Sequence, residues 1–382
     1  MSDELTHVPV SEPRIGEEEI ASVVQALRSG WISSAGKELD AFEHGWAAYC
    51  GRAHGVAVSS GTTALELTME VLALQPGDEV IIPTFTIISC ALAVVRAGAT
   101  PVLVDADPDT WCMDVEHVAR RLSPRTRAIM PVHIYGHPCD MDPLLALAGQ
   151  HHASIIEDAA EAHGAQYLTS RGPAPIWRRC GSFGHASAFS FYANKLVSTG
   201  EGGMIVTDDD AIATALRSAR NLAFRTDRRF YHTELGHQYR FTNLQAALGV
   251  PQIGRMDELL ARKRWLGNAY SERLREVTAL QLPVQRPWAR SSYWMYGVVL
   301  RDDAPFDARE FAARLATRGI ETRPFFVGMH EQPALRDRGL FSGESFPVAD
   351  RLARRGLYLP SGLGLTEIQL ERVVDAVKEI LS

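Results

Sequence analysis

From Gly55 to Met204 short apolar runs alternate with longer segments that are apolar on one face only. That pattern builds a mainly parallel sheet covered by helices on both faces, an α/β fold. Seven strands are predicted, at 55–58, 79–82, 101–104, 128–132, 154–157, 186–190 and 204–206. Helices are predicted between them at 62–72, 87–96, 114–121 and 142–150, with Pro and Gly as punctuation. A helical stretch at 243–276 leads to Pro283 and Pro287; strand-like 293–300, a helix at 306–318, a strand at 320–324 and a last helix at 366–381 predict a smaller α+β unit. Two domains are expected, 1–250 and 251–382. The segment 169–179, with Arg171, Pro173, Pro175, Arg178 and Arg179, reads as a surface loop.

Composition narrows the class. With 382 residues, 46% hydrophobic and 22% charged, the chain has the ordinary globular balance and enough apolar material for more than one core. A net charge of -7 provides no general attraction to nucleic acid or to an anionic membrane. Five cysteines (Cys50, Cys90, Cys112, Cys139 and Cys180) are odd in number and form no Cys-x-x-Cys pair, which disfavours a disulfide framework and suits a reducing compartment. The acidic, polar start and the lack of a long apolar run predict neither signal peptide nor membrane anchor, hence a cytoplasmic protein.

Candidate chemistry gathers at strand ends. The run Phe189 to Lys195, continuing to Gly200-Glu201-Gly202-Gly203, closes a small-and-apolar strand by presenting one lysine amid glycine and hydroxyl residues. In a partly desolvated pocket such an amine loses its charge and attacks a carbonyl. Ser154 to Asp158 reads as a buried strand with a carboxylate at its end, and Ala159, Ala160 and Ala162 leave room beside it. Asp158 reads either as the partner of a cationic ring nitrogen or as half of a salt bridge to a structural arginine. Val58-Ser59-Ser60-Gly61-Thr62-Thr63-Ala64 passes from strand through a tight turn into a helix. Free backbone N–H groups there favour a phosphate, although a plain capped turn has the same pattern. Phe85, after the next strand, either lies against a flat ring or belongs to the core. An acid, a lysine and a phosphate cradle are together what pyridoxal phosphate requires.

Other constellations point away from rival chemistries. His133 and His137 precede or flank a Gly136 and Pro138 turn and lack a third ligand at diagnostic spacing, so no metal site is expected. No Gly-x-Gly-x-x-Gly follows a strand, which argues against a nicotinamide enzyme. Gly181-Ser182-Phe183-Gly184 fails as a hydrolase elbow because Cys180 stands where glycine is wanted. Arg318 and Arg323 are either solvated or, with Tyr293, Trp294 and His330, line a sugar or phosphate site.

From about Pro13 to its end the chain resembles the sugar aminotransferases of the DegT/DnrJ/EryC1/StrS family. The resemblance rests on Gly30-Trp31-Ile32-Ser33-Ser34, Ser60-Gly61-Thr62, Gly77-Asp78-Glu79-Val80, Val132-His133-Ile134-Tyr135-Gly136, Glu157-Asp158-Ala159-Ala160-Glu161-Ala162-His163-Gly164 and Thr242-Asn243-Leu244-Gln245-Ala246. It implies a fold-type I PLP-dependent aminotransferase with a mainly parallel seven-stranded sheet. By the same resemblance Lys195 would bind pyridoxal 5'-phosphate covalently and move the proton, Asp158 would keep the pyridine nitrogen protonated, and Phe85 would stack on the ring. Ser60, Gly61, Thr62 and Ser190 would hold the phosphate, and Glu161, where many relatives carry glutamine, would lie near the phenolic oxygen. Asn243 would reach the phosphate of a neighbouring subunit, making a homodimer with shared active sites. Trp31, Ser33, Arg323 and His330 become candidates for the nucleotide-sugar pocket. Two departures stand out: the segment 168–180 is longer than in relatives, and His185 follows Gly184 where aspartate is common.

The implied reaction moves an amino group from L-glutamate to a nucleotide-linked keto-6-deoxy sugar. Asn194-Lys195 with Thr199 to Gly203, and Gly319 to Phe326, resemble most the branch acting on GDP-4-keto-6-deoxymannose. Alternatives are a 3-keto or a dTDP- or UDP-linked sugar as substrate, and a regulatory protein that binds the cofactor without turnover.

Overall fold

Fourteen strands order the molecule in the computed structural model, which describes residues 7–225 and 227–382. In chain order they are β1 (His54–Val58), β2 (Glu79–Pro83), β3 (Thr100–Val104), β4 (Thr126–Ile129), β5 (Ser154–Asp158), β6 (Gln166–Thr169), β7 (Ile176–Arg179), β8 (Ala186–Ser190), β9 (Gly203–Thr207), β10 (Leu280–Gln281), β11 (Ala289–Arg290), β12 (Tyr296–Leu300), β13 (Arg323–Pro324) and β14 (Gly356–Leu359). Seven form the large sheet in the order β1-β9-β8-β5-β4-β2-β3. Pairs from β8 through β3 are parallel, whereas β9 runs antiparallel to both of its neighbours. The predicted α/β architecture is therefore present, with one reversed strand.

That reversal matters for the site. Because β9 opposes β1 and β8, the latter two run in the same direction and their C-terminal ends come out at one edge with those of β5 and β2. Val58 and Ser190 both register with Gly203, and Asp158 registers with Ala188. Every residue of β2, β8 and β9 is buried, as expected of strands covered on both faces. In open α/β sheets ligands bind beyond such carboxyl ends.

The second sheet, β10-β12-β14-β13, is antiparallel throughout. Its own core joins Val298, Leu300 and Leu357 to Phe311 of helix Ala308–Ala316 and to Val373 and Val377 of helix Glu367–Leu381. Val8 belongs to this core and bridges to Ile320, so the segment at Val8 packs with the C-terminal unit. Helix Met256–Leu274 serves both bodies: Leu259 and Leu260 pack beneath the large sheet, while Leu266, Tyr270 and Leu274 enter the second core.

Three elements differ from the sequence reading. The 243–276 helix is two helices, Asn243–Gly254 and Met256–Leu274, separated at Arg255. The predicted strand at 320–324 reduces to β13 and the isolated bridge at Ile320. The supposed loop at 169–179 is largely a hairpin, with β6 and β7 pairing and β11 added to β6. Asp142 anchors it, accepting from the Thr169 hydroxyl at 2.5 Å and from the Ser170 N–H at 2.7 Å. Among the described residues no helix is long and apolar enough to cross a membrane.

Candidate active site

A cavity of about 360 Å³ opens at the C-terminal edge of the large sheet. Ser60, Gly61, Thr62, Asp158, Glu161, Ser190 and Lys195 all reach its wall, so the sequence candidates from β1, β5 and β8 converge. Ser60, in extended conformation, caps helix Gly61–Val71 by accepting the Thr63 N–H at 3.1 Å. The Thr62 hydroxyl lies 2.8 Å from that of Ser89. Glycine at 61 has a steric reason: a Cβ there would stand 2.8 Å from Cβ of Ser190. The helix start thus presents bare N–H groups and hydroxyls to the cavity, the arrangement that attracts an anion.

Asp158 ends β5 and is buried. Its Oδ1 accepts the Ala160 N–H at 3.0 Å, and its Oδ2 accepts the Cys90 thiol at 3.2 Å. Burial raises its pKa, opposed by the Ala160 N–H, by Cys90 and by the charges of Lys195 and His133. The cation that acts most strongly on it is therefore Lys195 rather than a structural arginine. Lys195 faces the cavity with its surroundings mostly protein, and burial lowers its pKa against the pull of Glu161 and Asp158. Its Nζ stands 3.6 Å from the ring centroid of Trp294. Glu161 accepts the Tyr135 N–H at 2.7 Å; burial pushes its pKa up to about 7, with Lys195 and that N–H pulling it back.

Behind β5 a second carboxylate has a different environment. Glu157 accepts N–H groups from Gly181, Phe183 and Gly184, the Ser187 hydroxyl and, at 3.0 Å, Nε2 of His133. Burial would raise its pKa, but His133, Arg52 and the Gly184 N–H hold it at about 2. His133 is likewise displaced downward by burial and upward by Cys180 and Glu157, which prevail and hold it well above its ordinary range.

Several expected residues lie elsewhere. Phe85 is not on the cavity wall: it packs among Tyr135, Phe325 and Phe326, and Thr86 and Ile87 line the cavity instead. Asn243 is fully buried and its amide is engaged within its own chain, donating to Trp31 O and Glu38 at 2.8 Å and accepting the Leu39 N–H at 3.0 Å. A side chain so committed has nothing left for a neighbour's phosphate; it pins the 31–39 segment. Trp31 and Ser33 sit on that segment, outside the cavity of their own chain. Arg323 is exposed and pairs with Glu321 at 2.7 Å. His330 is buried with both ring nitrogens bonded, Nδ1 to the Thr84 hydroxyl and Nε2 to Asp350, each at 2.9 Å. Its neighbours Glu331 and Asp350 could form a metal trio with it, yet both already pair with Arg354.

Trp294, Tyr358 and Phe326 complete the wall and were not assigned there from sequence alone as a group. They come from the C-terminal unit, more than a hundred positions from the strand ends they face; Trp294 alone was a sequence candidate, for a sugar or phosphate site. Asn194 leaves Oδ1 buried and without a partner at the cavity edge.

Residues 13–378 match the profile of the DegT/DnrJ/EryC1/StrS aminotransferase family. The chain belongs to this family. It is 40% identical over 382 residues, the whole of both chains, to a GDP-perosamine synthase of Caulobacter vibrioides. It is 38% identical to a dTDP-3-amino-3,4,6-trideoxy-alpha-D-glucose transaminase of Streptomyces venezuelae, with 98% of this chain and 97% of that one covered. The X-ray structure of S. venezuelae DesV superposes with a TM-score of 0.87 at 37% identity, covering 97% of this chain and 99% of that one. The chain is accordingly a pyridoxal 5'-phosphate-dependent sugar aminotransferase of the α/β aminotransferase fold. Its cavity fits that cofactor on its own chemistry: an acid, an amine and a glycine-floored cradle of donors face one space, and an orphaned buried amide oxygen borders it.

Proposed function

We propose that the enzyme transfers the amino group of L-glutamate to GDP-4-keto-6-deoxymannose, giving GDP-perosamine and 2-oxoglutarate. The observation that carries this choice is the full-length, 40% identical Caulobacter GDP-perosamine synthase. A dTDP-linked 3-keto sugar is the second reading, favoured by the 38% identical Streptomyces transaminase.

When bound, pyridoxal phosphate supplies an electron sink and a carrier for the amino group. In this reading Ser60, Gly61, Thr62 and Ser190 hold its phosphate, Asp158 keeps a proton on its ring nitrogen, and Lys195 is the residue joined to it. Once released, the Lys195 amine carries the proton between carbon atoms, a role its burial-lowered pKa suits. Glu161, held near neutrality by burial, lies on the same wall and would face the ring's phenolic oxygen.

A homodimer with shared sites belongs to the same proposal. Trp31, Ile87 and Tyr192 are 61%, 45% and 48% exposed, and the last two border the cavity. A second copy covering the cavity would bring its 31–39 segment, with Trp31 and Ser33, to the sugar.

Incubation with glutamate and a panel of GDP-, dTDP- and UDP-linked 3-keto and 4-keto sugars tests the assignment. Turnover confined to GDP-4-keto-6-deoxymannose is the expected result; turnover of a dTDP-linked 3-keto sugar alone selects the second reading. Cofactor binding without turnover of any sugar in the panel would overturn both substrate readings.

A further inference from the structure

The amine of Lys195 and the indole of Trp294 meet without an intervening group. Trp294 is only 6% exposed and lines the cavity just before β12. It grips the lysine twice, since its face lies 3.6 Å from Nζ and its Nε1–H donates to Asn194 O at 2.9 Å, the carbonyl immediately preceding Lys195. An indole is the best aromatic acceptor for a cation, and the attraction grows when water is excluded.

The segment holding this indole is itself over-determined. Tyr293 adopts φ 49°, a left-handed conformation that a bulky residue takes only under constraint. The Ser291 hydroxyl donates to Gly136 O at 3.0 Å and accepts the Tyr293 N–H at 3.0 Å. From the other side Lys263, 4% exposed, donates from Nζ to Trp294 O at 2.6 Å and also to Ser361 O. Burial alone drives the Lys263 pKa down to about 7, with no carboxylate restoring it. A buried cation bonded only to carbonyls is expensive, and here it fixes one backbone position.

We propose that Trp294 is a positioning residue for Lys195: its ring face receives the lysine ammonium whenever that amine is not joined to cofactor, and Lys263 holds the ring there through the main chain. The inference rests on Lys195 being the cofactor-linked lysine. Its chemical effect opposes burial, because a ring that stabilises the ammonium keeps the free amine from losing its proton too readily and directs it toward the cavity.

The test uses the full-length chain stripped of cofactor, recombined with pyridoxal phosphate across a pH series and followed by the growth of visible absorbance, a rate that rises with the neutral fraction of Lys195. Trp294→Leu should lower the midpoint by about one pH unit, so that recombination below both midpoints is about tenfold faster. Trp294→Phe, which keeps a ring face but no N–H, should retain more than half of the wild-type position. Lys263→Met should shift the midpoint in the same direction as Trp294→Leu, and an unchanged midpoint would remove Lys263 from the assignment. A Trp294→Leu protein with wild-type far-ultraviolet circular dichroism and an unmoved midpoint overturns the proposal; equal shifts in the Leu and Phe variants would credit the tie to Asn194 and overturn the role of the ring face. Borohydride fixation of the cofactor to a peptide other than that of Lys195 would instead sink the underlying reading.

Discussion

The thiol of Cys90 donates to Oδ2 of Asp158 across 3.2 Å, from helix Ser89–Arg96 to the end of β5. A thiol is a weak donor, so the carboxylate is oriented without being strongly relieved of its basicity. Asp158→Asn is expected to retain cofactor but to lose about 3 kcal/mol of transition-state stabilisation, roughly two orders of magnitude in kcat. Cys90→Ser should change kcat by less than about tenfold, because a hydroxyl keeps the orientation. Steady-state kinetics of the two variants distinguish them, and an unaltered kcat in Asp158→Asn would remove Asp158 from the chemistry.

Lys195→Ala should abolish turnover and also the borohydride-sensitive covalent link between cofactor and protein. Peptide mapping after reduction of the wild type should find the cofactor on the peptide containing Lys195. Near-normal transamination by the variant without added amine would refute the role.

The Glu157 and His133 pair gives stability an acid limit. Glu157 lies at about 2, below the ordinary glutamate value of 4.5, so its contribution is fully present above the unfolded value and is lost as pH falls through the folded one. The depression corresponds to about 3 kcal/mol, lost between roughly pH 5 and pH 2. His133 works in the opposite sense: raised above 6.5, it contributes most below that pH and less as pH climbs through its folded value. Urea unfolding across this range should show Glu157→Gln losing most of the acid-side slope; an identical slope in the two proteins would contradict the assignment.

Asn243→Ala should lower stability by about 2 kcal/mol, since it strands the Leu39 N–H and frees Trp31 O and Glu38. Local hydrogen exchange should quicken over residues 31–39. If that segment exchanged at the wild-type rate while only cofactor affinity fell, the in-chain role would be wrong and the neighbour's phosphate would again be its target.

The parts of the site legible in the sequence are those on strand ends. Asp158, Lys195 and Ser60 to Thr62 each follow a short apolar run that could not be placed anywhere but the sheet, and the turn chemistry after each run marks the edge where ligands bind. Of the two readings open for Phe85, the core one describes its place: β2 is buried on both faces and offers no alternation to orient the residues after it, and it is Thr86 and Ile87 that border the cavity. Tyr358 was hidden by distance along the chain, and Trp294 was singled out only in company with Arg323 and His330, which do not reach the cavity. The hairpin at 166–179 escaped notice because its Arg and Pro content signals a loop, while its pairing partner, β11, is a two-residue strand more than a hundred positions away.

That hairpin has a use beyond architecture. Residues 170–175, its tip, are all exposed, Asp142 holds the chain where β6 enters that tip, and none of the hairpin's residues borders the cavity. Lengthening a closed surface tip costs little, about 0.6 kcal/mol per doubling of the loop. The tip is therefore a port: a peptide tag, a fluorophore site or a surface-coupling cysteine grafted there would leave the catalytic space untouched, and immobilised enzyme could be oriented by it.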